Sequence, residues 1–218
     1  VFDPTDELVG LSTHDQVVEA AYLDAEDDVI YVTGGDLIGG SADSVLMAVS
    51  AGQSGAGDIV KMDANQVFTA CGPSTGGRQW VGTAYDIGHG TWVAVAALGT
   101  GRIAYTTDET TWINSTVTGG GSQAYFGVTY SPSLNRLVAT ASSGTGRIVY
   151  SDDGGINWTA ITTYDAHAFT AVKWDPTREL FFALSSTAGA NVLTSPTGLV
   201  WTARTTPDPI SFGGRMGI

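Results

Sequence analysis

Four aromatic residues that recur along the chain could bind a ligand by stacking on sugar rings. They are Trp80, Tyr125, Phe169 and Phe212, which are 45, 44 and 43 residues apart. An aromatic ring offers a large apolar face of fixed shape, which suits both sugar contact and core packing. Aromatics that recur once per repeat usually pack between repeats. Packing is therefore the favoured interpretation, and these four residues are the candidate ligand-facing aromatics.

A second set of residues has the spacing of a hydrogen-bonded turn. Ser151, Asp153, Gly155 and Trp158 form the pattern S-x-D-x-G-x-x-W between two strand-like runs. Ser and Asp side chains bond backbone amides inside turns, and Gly adopts the positive φ that other residues resist. Aromatics at the position of Trp158 recur at Phe68, Trp112 and Trp201. Two aromatic series that share a period of about 44 residues predict internal repeats.

The Ser151 pattern resembles the Asp box, or bacterial neuraminidase repeat, of β-propellers. The resemblance implies an all-β fold, a β-propeller of four-stranded antiparallel blades, with the box as a structural turn at the blade periphery. We expect an N-terminal strand or linker over 1–16 and a propeller over 17–218. Its repeats are expected at about 17–79, 80–124, 125–168 and 169–211, with a partial repeat at 212–218. The period indicates about five blades if the ring closes within this chain; the alternative is part of a larger propeller.

Sialidases also carry Asp boxes, and resemblance to them implies an arginine triad, a Tyr–Glu pair and an acidic acid/base residue. Arg102 and Arg147 instead occupy equivalent positions at the tips of two G-T-G-R hairpins, which indicates a scaffold role. No glutamate lies beside a tyrosine in a suitable setting. We therefore predict no catalytic residues. The alternative is a sialidase-like or other glycoside hydrolase whose site lies partly outside this chain.

Histidine and acidic side chains are the candidates for a metal site. His14, His89 and His167 are isolated in polar connections, which favours exposed loop histidines over metal ligands. The turn at Asp24–Asp28 crowds several carboxylates, as a Ca²⁺ site would, but a solvated hairpin tip is favoured because the EF-hand spacing is absent. The Gly-rich tips, such as 99–102 and 144–147, suit tight hairpins rather than phosphate. The sequence therefore predicts neither a metal nor a cofactor.

The charge and the hydropathy of the chain exclude two classes of partner. The formal net charge is −13, with Lys61 and Lys173 as the only lysines. A surface of this charge repels nucleic acids and anionic membranes. No apolar run approaches the roughly 20 residues needed to cross a bilayer. We expect no nucleic-acid ligand and no membrane insertion, and the single cysteine, Cys71, permits no intrachain disulfide.

These features predict a non-catalytic structural or adhesive module. The style of the repeats resembles that of phage virion proteins and secreted surface proteins, which implies an extracellular or virion-associated tail, fibre or capsid component. The expected partners are other structural proteins of an assembly, or a cell-surface glycan or receptor. The remaining alternative is an assembly scaffold that binds another protein through one propeller face, which an exposed apolar patch would favour.

Overall fold

The computed structural model describes residues 78–187 and 192–204, and in the N-terminal part the strand segments 21–25, 28–33, 46–51, 57–62 and 68–70. The described chain consists of strands and turns and contains no helix. The expected linker over 1–16, the long connection over 34–44 and the partial repeat over 212–218 lie outside the described residues.

The strands form four sheets in chain order. The first sheet contains β1 (Ala21–Ala25), β2 (Asp28–Thr33), β3 (Leu46–Ala51), β4 (Gly57–Met62) and β5 (Phe68–Ala70). The second contains β6 (Gln79–Asp86), β7 (Thr91–Leu98), β8 (Ile103–Thr106) and β9 (Ile113–Asn114). The third contains β10 (Thr116–Thr118), β11 (Gly121–Ser131), β12 (Arg136–Thr145), β13 (Ile148–Ser151) and β14 (Asn157–Ile161). The fourth contains β15 (Phe169–Asp175), β16 (Leu180–Ser185), β17 (Val192–Ser195) and β18 (Thr202–Arg204).

The first strand of each later sheet packs against the sheet that precedes it in the chain. Strand β6 contacts β2, β3 and β4, β11 contacts β6 and β7, and β15 contacts β11 and β12. The last strands, β9 and β18, are exposed along their length. The sheets therefore converge where β6, β11 and β15 lie and spread apart towards their outer strands.

The second strands of the second and third sheets, β7 and β12, are covered on both faces, as their continuous apolar sequences predict, whereas Leu180 and Phe182 of β16 are half-buried. Every residue from Trp92 to Ala97 is buried, and so is every residue from Leu137 to Ala141. On β12, Leu137 joins the apolar cluster shared with the second sheet, whereas its neighbour Val138 joins the cluster shared with the fourth. Alternate side chains thus hold the third sheet to both neighbours.

The expectation of four strands per sheet holds for the second and fourth sheets, while the first and third have five. In the third sheet the extra strand is β10, which comes from the connection to the second sheet and pairs in parallel with β14. In the fourth sheet a side chain takes a similar place, because the Tyr164 hydroxyl accepts a hydrogen bond from Trp201 N (2.8 Å) and donates one to Trp201 O (3.0 Å). Both arrangements satisfy backbone groups that an outer strand would otherwise expose.

Gly127 allows β11 and β15 to approach closely. A Cβ at Gly127 would lie 2.8 Å from Val172 N and 3.3 Å from Ala171 Cα, both backbone atoms of the fourth sheet. At the equivalent position in the second sheet, a Cβ at Gly82 would lie 3.5 Å from the nearest atom, Val95 Cγ2, which is ordinary van der Waals contact.

We expect Gly127→Ala to lower the free energy of unfolding by about 1–3 kcal/mol, because backbone atoms cannot rotate away from the added methyl group. Gly82→Ala is the matched control and should change the free energy of unfolding by less than about 1 kcal/mol. Part of that change is a small stabilisation, because alanine lowers the conformational entropy of the unfolded chain. Urea unfolding of both variants measures the difference. Equal effects at the two positions would contradict the close approach.

Candidate functional site

The Ser151 turn uses its polar groups to hold its own backbone. Ser151 Oγ accepts hydrogen bonds from Gly155 N (3.0 Å) and Asp153 N (3.4 Å), and it donates one to Asp153 Oδ1 (2.8 Å). Asp153 also accepts from Asn157 N and Nδ2, and Trp158 Nε1 donates to Gly155 O (2.9 Å). With these atoms engaged inside the turn, its chemistry is structural.

The equivalent turns keep part of this arrangement. In the fourth sheet, Ser195 Oγ accepts from Gly198 N (2.8 Å) and Trp201 Nε1 donates to Gly198 O (2.9 Å). In the second sheet, Asp108 Oδ1 accepts from Thr111 N (2.6 Å), but this turn is one residue shorter and has no glycine at the position of Gly155. The indole nitrogen of Trp112 is buried there and has no hydrogen-bond partner among the described residues.

Three turn carboxylates have pKa values below their ordinary range. The backbone N–H groups of Thr111 and Thr110 lower the pKa of Asp108. Burial raises the pKa of Asp153, but the hydrogen bonds from Asn157 and Ser151 outweigh burial and lower it overall. The Arg178 side chain lowers the pKa of Asp175. Each carboxylate is therefore stabilised in its ionised form in the folded state.

This pattern predicts loss of stability in acid. A carboxylate whose pKa is depressed by folding stabilises the fold above its unfolded pKa of about 3.9, and that contribution disappears as the pH falls towards the folded value. We expect Asp153→Asn to be less stable than the unmodified protein at pH 7, and the difference in unfolding free energy to shrink below about pH 4. Urea unfolding between pH 7 and pH 3 checks this expectation. A difference that stays constant over the range would show that Asp153 acts through its shape and not its charge.

The arginines are bound into the scaffold. All six in the described residues bond a carbonyl, a carboxylate, an amide oxygen or a hydroxyl: Arg78, Arg102, Arg136, Arg147, Arg178 and Arg204. Arg102 Nε donates to Gly99 O in its own hairpin tip, and its Nη1 donates to Gln123 O in the next sheet. Arg147 repeats the pattern with Gly144 O (3.2 Å) and His167 O (3.0 Å). The scaffold role that the sequence predicts for these two arginines agrees with this geometry.

The histidines within the described residues are held by local contacts. His89 donates to the buried Asp86 carboxylate through its backbone N (3.1 Å) and contacts it through Nδ1 (2.9 Å). His167 is half-buried, contrary to the expectation of an exposed loop histidine, because its ring packs 5.7 Å from that of Phe169. Across the described segments, no three His, Cys, Asp or Glu side chains come together as metal ligands would. His14 and the middle of the Asp24–Asp28 turn lie outside those segments.

The recurring aromatics lie inside the packed sheets. Trp80, Tyr125 and Phe169 are buried, so none presents a ring face to solvent, and Phe212 lies outside the described residues. The phenol oxygen of Tyr125 has no hydrogen-bond partner among the described residues, and burial raises its pKa. These three side chains contribute to the core and would not contact a ligand in this conformation.

A β-bulge follows each of these aromatics and creates a different candidate site. The register shifts between Trp80 and Gly82, between Tyr125 and Gly127, and between Phe169 and Ala171. One residue is thus left unpaired on each of the three first strands: Val81, Phe126 and Thr170. A bulge redirects its side chain and often lies next to a functional site. We call these three residues the bulge positions.

The bulge positions lie side by side where the sheets converge. The space at Gly127 borders Ala171 and Val172, and that at Gly82 borders Val128, so neighbouring first strands approach each other at the same level. Val81 and Thr170 are half-buried, whereas the Phe126 side chain is 41% exposed. The hydroxyl of Thr170 has no hydrogen-bond partner among the described residues. Of the three, Phe126 offers an exposed aromatic face for stacking, whereas the unpartnered oxygen of Thr170 is itself buried.

The period of the aromatics points to Tyr125 and not to its exposed neighbour Phe126, because Phe126 belongs to no repeating series and its exposure depends on the bulge. A signal was nevertheless present, since a small residue stands two positions after the aromatic in Trp80-Val81-Gly82, Tyr125-Phe126-Gly127 and Phe169-Thr170-Ala171. A small residue at a fixed offset in a strand marks a bulge or a close backbone approach.

Comparison with solved structures identifies the fold. The chain is similar to virginiamycin B lyase from Staphylococcus aureus, with a TM-score of 0.61 and 12% identity over 89% of this chain and 72% of the lyase chain. It is also similar to a chain of a nidogen/laminin complex, with a TM-score of 0.54 and 10% identity over 83% of this chain and 73% of that one. For the GH74 enzyme of Niastella koreensis the TM-score is 0.52 and the identity 18%, over 89% of this chain and 30% of the enzyme chain. These relatives are β-propeller proteins, and the fold of this chain is therefore a β-propeller of antiparallel sheets. At these identities the likeness concerns the fold alone.

No family model matches the chain, and no curated protein matches it in sequence. Within the described segments, no helix is long and apolar enough to span a bilayer.

Proposed function

We propose that this protein is a non-catalytic adhesive β-propeller module that binds a neutral glycan where its sheets converge. The observation that carries the proposal is the exposure of Phe126 at a bulge on a first strand, while the aromatic beside it, Tyr125, is buried. Ligand sites in proteins are lined largely by apolar and aromatic side chains, so an exposed aromatic residue where the sheets converge is a candidate ligand contact.

Phe126 and the edges of the first strands supply the two kinds of contact that a sugar needs. Stacking on Phe126 would hold the apolar face of a sugar ring. Strands β6, β11 and β15 each lie at the edge of their sheet, so backbone N–H and C=O groups outside the strand ladder face the same centre, although Trp174 N on β15 already donates to Thr129 Oγ1 (3.2 Å).

The charge of the chain supports a neutral ligand. A net charge of −13 repels carboxylated sugars unless arginines converge locally. The arginines of the described segments are instead bonded to hairpin carbonyls, turn carboxylates and neighbouring strands. Sialic acid and other anionic glycans are therefore the less favoured class.

Support for a non-catalytic role comes from how the reactive side chains are used. Asp108 and Asp153 bond the N–H groups of their own turns, and Asp86 bonds His89. A glycosidase needs two carboxyl groups that face a substrate from about 5 to 9.5 Å apart. Carboxylates committed to backbone N–H groups serve architecture, which favours binding over hydrolysis, the alternative function.

The proposal places the module on a phage virion or another extracellular surface, as part of a tail, fibre or capsid-associated assembly. Support comes from the resemblance of its repeats to those of virion and secreted surface proteins. A chain with two lysines and a high negative charge also suits a soluble module that must avoid nucleic acid.

A glycan array followed by titration calorimetry tests this function. The unmodified protein should bind at least one neutral oligosaccharide, and Phe126→Ala should weaken that binding by more than about tenfold, equivalent to about 1.4 kcal/mol. Leu98→Ala is the control, because Leu98 is an exposed apolar residue of β7 that is not one of the bulge positions.

Three results would contradict the proposal. Absence of binding to every neutral glycan would exclude the ligand class, and unchanged binding by Phe126→Ala would exclude the site. Release of a reducing sugar from a bound oligosaccharide would exclude the non-catalytic role.

A further inference from the structure

Three neighbouring turns present exposed apolar side chains at one end of the sheets. Four of the seven large apolar side chains that are exposed in the described segments lie there: Leu134, Ile156, Leu199 and Val200. Val200 is 70% exposed and Ile156 is 41% exposed. Leu134 lies in the turn between β11 and β12, Ile156 in the Ser151 turn, and Leu199 and Val200 in the turn between β17 and β18.

Arg136 holds these three turns together. Its guanidinium makes a bidentate ion pair with Asp152 of the Ser151 turn, through Nε (2.6 Å) and Nη2 (2.8 Å). Its Nη1 donates to Thr197 O (2.7 Å), in the turn that carries Leu199 and Val200. The guanidinium also lies 5.0 Å from the ring centre of Tyr150. Because Arg136 follows Leu134 by two residues, one side chain links all three turns, which we call the Arg136 patch.

Carboxylates surround the Arg136 patch. Asp152 and Asp153 precede Ile156 in its turn. Asp175 ends β15 and Glu179 lies in the turn that follows it, at the same end of the sheets. The two arginines in these turns are both paired, Arg136 with Asp152 and Arg178 with Asp175. The patch therefore combines an apolar centre with a net negative surround.

We infer that the Arg136 patch binds a segment of another protein that carries apolar side chains flanked by lysine or arginine. Apolar groups would cover Ile156, Leu199 and Val200, and the flanking cations would meet the carboxylates, which follows from charge complementarity. A second copy of this chain is a poor occupant, since two molecules that each carry −13 repel one another. This site is separate from the bulge positions and does not depend on glycan binding.

Nuclear magnetic resonance titration with three synthetic heptapeptides tests the inference on the full chain. The first peptide has three central leucines with two lysines on each side, the second replaces the lysines with glutamates, and the third replaces the leucines with serines. We expect the first peptide alone to bind and to shift the amide signals around Ile156 and Val200. Its affinity should fall as the salt concentration rises, since exposed charges are screened.

Two variants locate the site. Ile156→Ser and Val200→Ser keep the charge of the patch and should each weaken binding of the first peptide by more than about fivefold. Leu98→Ser, an exposed apolar residue elsewhere, and Phe126→Ala, at the bulge positions, should leave it unchanged. Loss of affinity only in Phe126→Ala would move the peptide to the glycan site and overturn the inference.

Other results would also overturn it. Equal binding of the serine peptide would show that charge alone, without apolar contact, attracts the peptide. Failure of the first peptide to bind would exclude a partner segment with apolar side chains flanked by cations. Self-association in sedimentation that is abolished by Val200→Ser would assign the patch to a second copy of the chain.

Discussion

Replacing Trp158 with alanine is expected to lower the free energy of unfolding by about 3–5 kcal/mol. The Trp158 side chain is 1% exposed and belongs to the apolar cluster that joins the second and third sheets. Its indole N–H also donates to Gly155 O, and truncation leaves a cavity that the surrounding strands fill only in part. Since domains are stable by about 5–15 kcal/mol, this loss is a large fraction of the total.

Trp112→Ala is the matched comparison for Trp158→Ala. Trp112 occupies the equivalent position in the second sheet but is half-buried, and its indole nitrogen has no hydrogen-bond partner among the described residues. Trp112→Ala should therefore lower the free energy of unfolding by roughly half as much or less than Trp158→Ala. Less buried apolar surface is lost, and the variant removes a buried N–H group that has no partner. Equilibrium urea unfolding of both variants gives the two values. Equal losses would mean that the turn glycine and its hydrogen bond contribute little.

Gly155→Ala is expected to lower the free energy of unfolding by about 3 kcal/mol for two separable reasons. Gly155 has a φ of +83°, a conformation that costs a residue with a side chain about 1–2 kcal/mol. A Cβ at this position would also overlap Val93 Cγ2 of the second sheet, and overpacking of a filled core costs about 1–3 kcal/mol. The turn and its neighbour could accommodate the methyl group only by moving apart.

Gly90→Ala separates the two costs. Gly90 also has a positive φ, +65°, but a Cβ there would meet only the Tyr85 hydroxyl at 4.0 Å. This variant should lose about 1 kcal/mol, the conformational part alone. The excess loss in Gly155→Ala then measures the contact with Val93, and a double variant with Val93→Ala should recover part of it. If the two glycine variants lose the same stability, the turn does not pack against the second sheet as described.

The Ser151 turn and the bulge positions show why scaffold and function are separate in this propeller. In the turn, the serine, aspartate and tryptophan side chains bond the turn's own backbone, and the tryptophan also packs at the interface between sheets. The bulge positions release side chains from the regular ladder at the centre. Variants of the turn should therefore change stability, whereas Phe126→Ala should change binding and leave stability nearly unaltered, since a partly exposed side chain contributes little to the core.

The amino-acid sequence by itself determined the class of the fold, the period of the repeats and the hairpin turns. These features depend on interactions between residues close in the chain. The G-T-G-R tips need glycines at positive φ, and Gly99, Gly101, Gly144 and Gly146 have it. The Ser151 turn needs donors and acceptors within four residues of each other, and the continuous apolar runs of β7 and β12 need cover on both faces. Local hydrogen-bond geometry and hydrophobic periodicity are therefore enough to predict them.

Only the tertiary structure decided which side chains face outward and where the sheets meet. The exposure of Phe126 depends on a register shift against β12, the pairing of β10 depends on the outer edge of a strand 41 residues away, and the Arg136 patch depends on contacts between two sheets. Such contacts join residues far apart in the chain, and a one-residue shift reverses the face to which every following side chain points. The period of the aromatics located the centre of the propeller, but the burial of Tyr125 beside the exposed Phe126 is a property of the packed sheets alone.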